Sequence, residues 1–255
     1  MQAEDYEYLY ALEESFWWFA GMRAITGALL DPFCPTGRDR AILDAGCGTG
    51  GNLTWLARYA GAGGSVTGID LANDALKFCR ARGHERLAQA SVTALPFAAA
   101  SFDLITSFDV LVQLTGAGAD EQAIGEMYRV LRPNGIAFVR VAAYNWLRSG
   151  HDEALGTERR YTLAALRALL ARTGFRVRRA TYANSLLLPI AVGHRLILKR
   201  AGLTTRGSDV KPLAPRLQWL NGLLETALRR EACWLRPPQR TLPAGLSAIC
   251  IAEKD

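Results

Sequence analysis

Residues 43–52 read LDAGCGTGGN, and four of the ten are glycine. So dense a run marks backbone that must turn sharply or come close to a ligand. RAILDAG (40–46) and SVTGID (65–70) on either side are short β-type runs, and NLTWLARYAG between them puts Leu53, Leu56, Ala57 and Ala60 on one helical stripe. The stretch is therefore the turn of a βαβ unit.

Two kinds of ligand suit such a turn. Gly46, Gly48 and Gly51 satisfy G-x-G-x-x-G, and Asp70 closes the next strand where it can hold ribose hydroxyls, so a nicotinamide enzyme is admissible. Asp44 opposes that reading, because its charge sits beside the helix N-terminus that a pyrophosphate needs. A phosphate-free cationic ligand suits it better, and S-adenosylmethionine (SAM) offers an adenosine for Asp70 and a sulfonium and ammonium for Asp44.

Outward from the loop, strand and helix signals alternate. NDALKFCRARG reads as a helix capped by Asn73 or Asp74 and ended by Gly83, with a short strand near Leu87–Ser91 and a buried strand in SFDLITSF (101–108). DEQAIGEMYRVL carries Ile124, Met127 and Leu131 on one face and stops at RPNG, after which IAFVRVAA (136–143) is a strand. TLAALRALLARTG (162–174) is a helix with Thr162 as cap and Gly174 as terminator; FRVRRATY (175–182) and LSAICIAEK (246–254) are strands, the last returning to the same sheet. The pattern predicts an α/β fold with a doubly wound, mostly parallel seven-stranded sheet and a helical insertion before the last strand. Its expected parts are an N-terminal helical lid segment (1–39), a core (40–182), the insertion (183–241) and the final strand (242–255).

The chain has 255 residues, half of them apolar, enough for a substantial core. Its start is acidic where a signal peptide would be basic, and the lipophilic run 185–200 is broken by Pro189, Gly193, His194 and Arg195, so a cytoplasmic protein is expected. Five cysteines without a C-x-x-C pair argue for reduced thiols, and three scattered histidines argue against a metal site. The net charge of +6 is concentrated in 159–179 and 195–240. That pattern reads first as a solvated surface rather than a nucleic-acid footprint.

ILDAGCGTGGNL, VTGID, ALPFAAASFDLITSFDVL and YRVLRPNGIAFV, in this order, resemble the motifs of class I SAM-dependent methyltransferases over about Ala41–Val141. ALPF…SFD and LRPNG are similar to the branch that methylates small molecules, including quinone-type acceptors, and EESFWWFAGMRAI resembles its pre-domain helix. The resemblance implies a Rossmann-like methyltransferase fold with SAM as cofactor. Gly46, Cys47, Gly48 and Gly50 would line the path of the methionine moiety beside Asp44, Asp70 would bind the ribose, and Leu71, Ser91, Val92, Phe108 and Gln113 would border the remainder. Ser91 stands where the family commonly has an adenine-binding aspartate, and Gln113 where it often has a histidine.

Methyl transfer from a sulfonium needs alignment first, a base second. Asp109, just past the fourth strand, and His151, after the fifth, are the candidate bases. Tyr144 and Trp146, with the intervening Asn145, follow the fifth strand where an acceptor would bind; Trp18, with Trp17 and Phe19, can form an aromatic lid, and Arg23 can meet the methionine carboxylate. The expected activity is methyl transfer to an O, N or C nucleophile of a small molecule. Alternatives are a methyltransferase-fold protein that binds SAM without transferring methyl, as scaffold or rearrangement catalyst, and an RNA methyltransferase, disfavoured by the lack of an amino-methylation motif. The basic, apolar insertion suits a pocket wall first, and otherwise a homodimer contact or a peripheral membrane contact.

Overall fold

In the computed structural model, residues 3–148, 150, 152, 156–193 and 219–255 are described. The first βαβ unit forms as its periodicity requires: β1 (Ala41–Ala45), α3 (Gly51–Ala60) and β2 (Ser65–Asp70). Successive β1 side chains enter opposite cores, Ile42 with one and Leu43 with the other, as the two-residue repeat of a strand dictates. Two helices precede this unit, α1 (Ala3–Leu12) and α2 (Trp17–Leu30). It is followed by α4 (Asn73–Ala81), β3 (Leu87–Gln89), β4 (Phe102–Phe108), α5 (Ala119–Val130) and β5 (Leu131–Ala142). Then come α6 (Leu163–Arg172), β6 (Phe175–Ala183), α7 (Trp219–Leu235) and β7 (Ser247–Lys254).

The seven strands lie in the order β3-β2-β1-β4-β5-β7-β6. Those from β3 to β5 pair in parallel, while β7 slots between β5 and β6 antiparallel to both. The chain leaves β1 toward β2 on one side and returns to β4 on the other, so the sheet has its topological switch point between β1 and β4. Open α/β sheets bind ligands beyond the carboxyl ends of strands at that point. Here those ends carry the glycine loop and Phe108–Asp109.

Helices cover both faces. On one, Met22, Ile25 and Leu29 of α2, Leu56 and Tyr59 of α3 and Leu228 and Leu235 of α7 pack on Ile42, Leu104, Phe138 and Ile251. On the other, Ile124 and Met127 of α5 and Leu166 and Leu170 of α6 meet Leu43, Ile105, Val139 and Cys250.

Local chemistry explains where the expected boundaries hold and where they move. Thr162 does cap α6, its hydroxyl accepting from the Ala165 amide at 3.1 Å, and Gly174 ends it at φ +98°. Neither Asn73 nor Asp74 caps α4. Asp70 reaches forward to accept from the Ala72 amide at 2.9 Å, and Asp74 is engaged by Lys77 at 2.8 Å. RPNG does turn, with Asn134 at φ +63°, but as a bulge inside β5: Leu131 pairs with Phe102, and pairing with β4 resumes at Ile136. The N-terminal segment is two helices, interrupted between Glu13 and Phe16. The insertion returns as α7, which lies along α2, and residues 194–218 within it lie outside the described residues. No helix among the described residues is long and apolar enough to cross a membrane.

Contact between α2 and α7 depends on Gly21. A Cβ there would stand 2.4 Å from Leu228 Cδ1 and 2.6 Å from Leu228 Cβ, so the helices themselves would have to part. Gly21→Ala should therefore destabilise by about 1–3 kcal/mol, although glycine to alanine in a free helix gains about 1 kcal/mol. Leu228→Ala should cost about 2–5 kcal/mol through its cavity. The double variant should cost clearly less than the sum, since each change relieves the other. Denaturant melts check this, and strict additivity would place Gly21 away from Leu228.

Candidate active site at the carboxyl ends of β1 and β4

After β1 the chain passes through Gly46, Gly48 and Gly50 at φ +89°, +56° and +86°, conformations that side chains disfavour. The Gly46 and Cys47 amides both donate to the Ile69 carbonyl, at 2.9 and 2.8 Å, binding the loop to the end of β2. A Cβ on Gly46 would fall 2.2 Å from Val110, so nothing larger fits there. Gly48 has more room, with Leu9 of α1 the nearest neighbour at 3.8 Å.

Two carboxylates frame the loop. Asp70 accepts from the Gly48 amide at 3.0 Å through one oxygen and from Ala72 through the other, which leaves each oxygen a second lone pair. Beside it Leu71 is 70% exposed, an apolar side chain standing in solvent at a strand tip. Asp44 is fully buried; one oxygen accepts from the Thr106 hydroxyl at 2.7 Å, while Oδ2 has no partner. Burial pushes its carboxyl up to about 7, against the opposing pull of the Thr106 hydrogen bond.

Beyond β4, Asp109 adopts φ +59°, and its Oδ2 receives both Nε and Nη2 of Arg140 at 2.9 and 2.7 Å. The Arg140 guanidinium is buried between the rings of Trp18, at 5.2 Å, and Phe108, at 5.0 Å. A cavity of about 30 Å³ adjoins them, lined also by Arg23, Met22, Asn52 and Trp55. It is sized for a water or two.

The other expected residues are distributed as follows. Val92 is buried, and the Ser91 hydroxyl is engaged with Thr93 at 2.7 Å, closing its own turn. Gln113 is exposed at the end of a single 3₁₀ turn, Leu111–Gln113. Arg23 donates to the carbonyls of Glu13, at 2.7 Å, and Gly51, at 3.4 Å, while its side chain borders the cavity. Tyr144 stacks between Tyr182 and the exposed Trp146, ring centroids 5.1 and 5.6 Å apart, and burial with the Tyr182 contact pushes its phenol up to about 12. Since Tyr182 belongs to β6, this stack runs to the side of β5 away from β4 and does not join Asp109. His151 lies outside the described residues.

One buried group beside the glycine loop escaped the sequence. Glu13 is buried at the N-terminus of α3, accepting from the Thr49 hydroxyl at 2.5 Å, the Gly51 amide at 2.9 Å and Arg82 at 3.3 Å. Burial pushes its carboxyl above the usual range despite those partners. The helix end where a dinucleotide enzyme would seat a pyrophosphate is thus filled by the chain's own carboxylate, a second argument against the nicotinamide reading besides Asp44. Nothing in the spacing of an acidic N-terminus to a glycine loop 36 residues on, the separation of Glu13 and Thr49, could have announced this contact.

Comparison with known proteins agrees with the geometry. Residues 43–139 match the family model described as methyltransferase domain. No curated protein matches the sequence significantly. Among solved structures, a Haloferax volcanii methyltransferase in complex with the Trm112 methyltransferase activator is 18% identical with a TM-score of 0.60, covering 98% of this chain and 93% of its own. A SAM-dependent methyltransferase from Mesorhizobium loti is 16% identical with a TM-score of 0.57, over 90% of this chain and 100% of its own. The [4+2]-cyclase SpnF is 19% identical with a TM-score of 0.54, over 91% and 80%. These likenesses are likenesses of fold. With the sheet order, the glycine loop and the domain match in agreement over residues 43–139, the chain carries a methyltransferase domain match within the fold of SAM-dependent methyltransferases.

Proposed function

We propose that the protein methylates a small-molecule acceptor whose attacking atom carries an acidic proton, an oxygen or carbon acid before a nitrogen, at the Asp109–Arg140 pair. The observation that carries this reading is the placement of one buried guanidinium, between Trp18 and Phe108, against a carboxylate just past β4. Bound SAM supplies a methyl group on a sulfur that is already a good leaving group. The residues of this chain do the remainder. Asp44 Oδ2, buried without a partner, fits the cofactor's ammonium; the remaining lone pairs of Asp70 fit the ribose hydroxyls; exposed Leu71, with Val92, offers an apolar seat for the adenine. Arg140 orients Asp109 by its grip on Oδ2, leaving Oδ1 outside that ion pair to take the acceptor's proton. The same guanidinium favours negative charge as it develops on the acceptor atom.

On this reading α7, the described helix of segment 183–241, contributes to the acceptor site through α2. Leu228 of α7 sets the position of α2 at Gly21, and the adjacent Trp18, Met22 and Arg23 of α2 line the cavity.

Mass spectrometry of metabolites incubated with methyl-labelled SAM tests the activity. Label should appear on small phenols, enols or carbon acids rather than on RNA. Cofactor binding with no label on any acceptor would instead favour catalysis without methyl transfer, of the kind named for the cyclase neighbour. Asp109→Asn should lower turnover by about 10²–10⁴-fold while changing cofactor affinity little. Equal losses in both would make the pair a part of the cofactor site.

Asp44 makes a pH-dependent prediction. Its carboxyl is raised in the folded state to about 7 from 3.8, so the folded chain holds a proton that the unfolded chain releases. Stability from this group is full below pH 4 and is lost as pH rises through about 7, a cost on the order of 4 kcal/mol. Asp44→Asn should thus stabilise the cofactor-free protein at pH 8 and change little at pH 4.5. Affinity for S-adenosylhomocysteine, which keeps the ammonium, should rise in the parent protein as pH passes through about 7 and stay flat and weak in Asp44→Asn. A parent affinity independent of pH between 5.5 and 8.5 would remove Asp44 from the ammonium site.

A further inference from the structure

Two of the five cysteines, 32 residues apart in sequence, are in contact: Cys47 Sγ and Cys79 Sγ stand 3.8 Å apart. Cys47 is the second residue of the glycine loop, and Cys79 lies in the last turn of α4 with its thiol donating to the Gly48 carbonyl at 3.2 Å. Both are buried, in a small apolar cluster walled by Leu53 and Leu76. Two glycines clear the space for the sulfurs. A Cβ on Gly68 would lie 2.9 Å from Cys47 Sγ, and one on Gly50 would lie 3.0 Å from Cys79 Sγ.

We propose that Cys47 and Cys79 form a reversible disulfide in response to a peroxide-class oxidant, and that this disulfide releases the cofactor. Closing the gap from thiol contact to a bond of about 2.0 Å requires each sulfur to move by less than about 1 Å. The loop gives more readily than α4, because its glycines already hold permissive conformations. Drawing Cys47 toward α4 pulls on the paired Gly46 and Cys47 amides at the Ile69 carbonyl and, by consuming the Cys79 proton, frees the Gly48 carbonyl. Both changes fall on the backbone that the cofactor's methionine moiety would follow.

The chemistry balances in two steps. One sulfur takes an oxygen from the peroxide, whose O–O bond breaks, giving a sulfenic acid and water or alcohol. The second sulfur then attacks the first; the S–S bond forms, the S–O bond breaks, and the departing oxygen leaves as water with the second thiol's proton. Two electrons pass from the thiol pair to the peroxide, and a dithiol reductant reverses the change. The contact with Cys79 and then burial hold the Cys47 thiol above the ordinary thiol range, so the packed pair rests protonated and reacts as the loop opens.

The test uses the full chain with Cys233→Ser, which removes the exposed thiol and with it intermolecular coupling. After hydrogen peroxide, a non-reducing peptide map should show the Cys47 and Cys79 peptides joined and lighter by two hydrogens. Affinity for S-adenosylhomocysteine by calorimetry should fall at least about tenfold and return with dithiothreitol. With Cys79→Ser or Cys79→Ala added, the joined pair should be absent and peroxide should change affinity by less than about twofold. The proposal fails if a peroxide dose that oxidises Cys233 in the parent chain leaves Cys47 and Cys79 unjoined. It fails equally if they join and affinity is unaltered. Because the map is read on the folded Cys233→Ser chain, neither outcome depends on the Cys79 variants folding.

Discussion

A carboxylate buried with one oxygen unpaired is the constraint around which the rest of this molecule is arranged. Asp44 is the penultimate residue of β1 at the switch point of the sheet, fully enclosed, with Thr106 of β4 as its hydrogen-bond donor. Packing alone does not favour that arrangement, since an uncompensated buried charge costs several kcal/mol and an asparagine or leucine would avoid it. On the proposed reading, the cofactor's ammonium would compensate it. Next to it, Gly46 has no room for a side chain, and the loop beyond runs through left-handed glycines; on the proposed reading the cost at Asp44 and the bare backbone beside it would serve one cofactor seat.

Apolar packing anchors α2, whereas the α1–α2 junction is held to the glycine loop by charged hydrogen bonds. Glu13 ties the start of α3 to the α1–α2 junction, and Arg82 spans from Thr49 to Glu13, Glu14 and the Tyr10 carbonyl, its guanidinium lying 4.2 Å over the Tyr10 ring. Arg23 closes the set on the Glu13 carbonyl. Glu13 and the Arg82 guanidinium are buried and multiply hydrogen-bonded, the condition under which such a network repays its desolvation and fixes one geometry. Removing either would leave buried partners unpaired.

What was legible in the sequence was whatever repeats. Leu53 and Leu56 declare α3 by spacing, Ile42 and Leu43 declare β1 by alternation, and Thr162 with Gly174 brackets α6, because each signal is carried by neighbours along the chain. Asp44 and the glycines were legible as a candidate site since loop and strand end are contiguous. The Asp109–Arg140 pair, Glu13 at α3 and the Cys47–Cys79 contact join residues between 31 and 38 positions apart, and no local pattern reports which distant side chain will be opposite. Even near neighbours compete: Asp70 at the strand end took the amide that would have advertised Asn73 or Asp74 as a cap.

The last strand shows how the far end of the chain comes to bear on the first loop. Antiparallel β7 enters between β5 and β6, so the segment before it must descend across the helical face that α2 already occupies. Glu231 of α7, buried, accepts from the amides of Asn184 and Ser185 where β6 ends, and thereby fixes α7 against the sheet. Gly21 then admits Leu228, so α2 takes its position from α7. Trp18 and Arg23, set by α2, reach Arg140 and the first turn of α3. A change in the insertion that shifts α7 is therefore transmitted by rigid packing to the Trp18–Arg140 contact and to the first turn of α3.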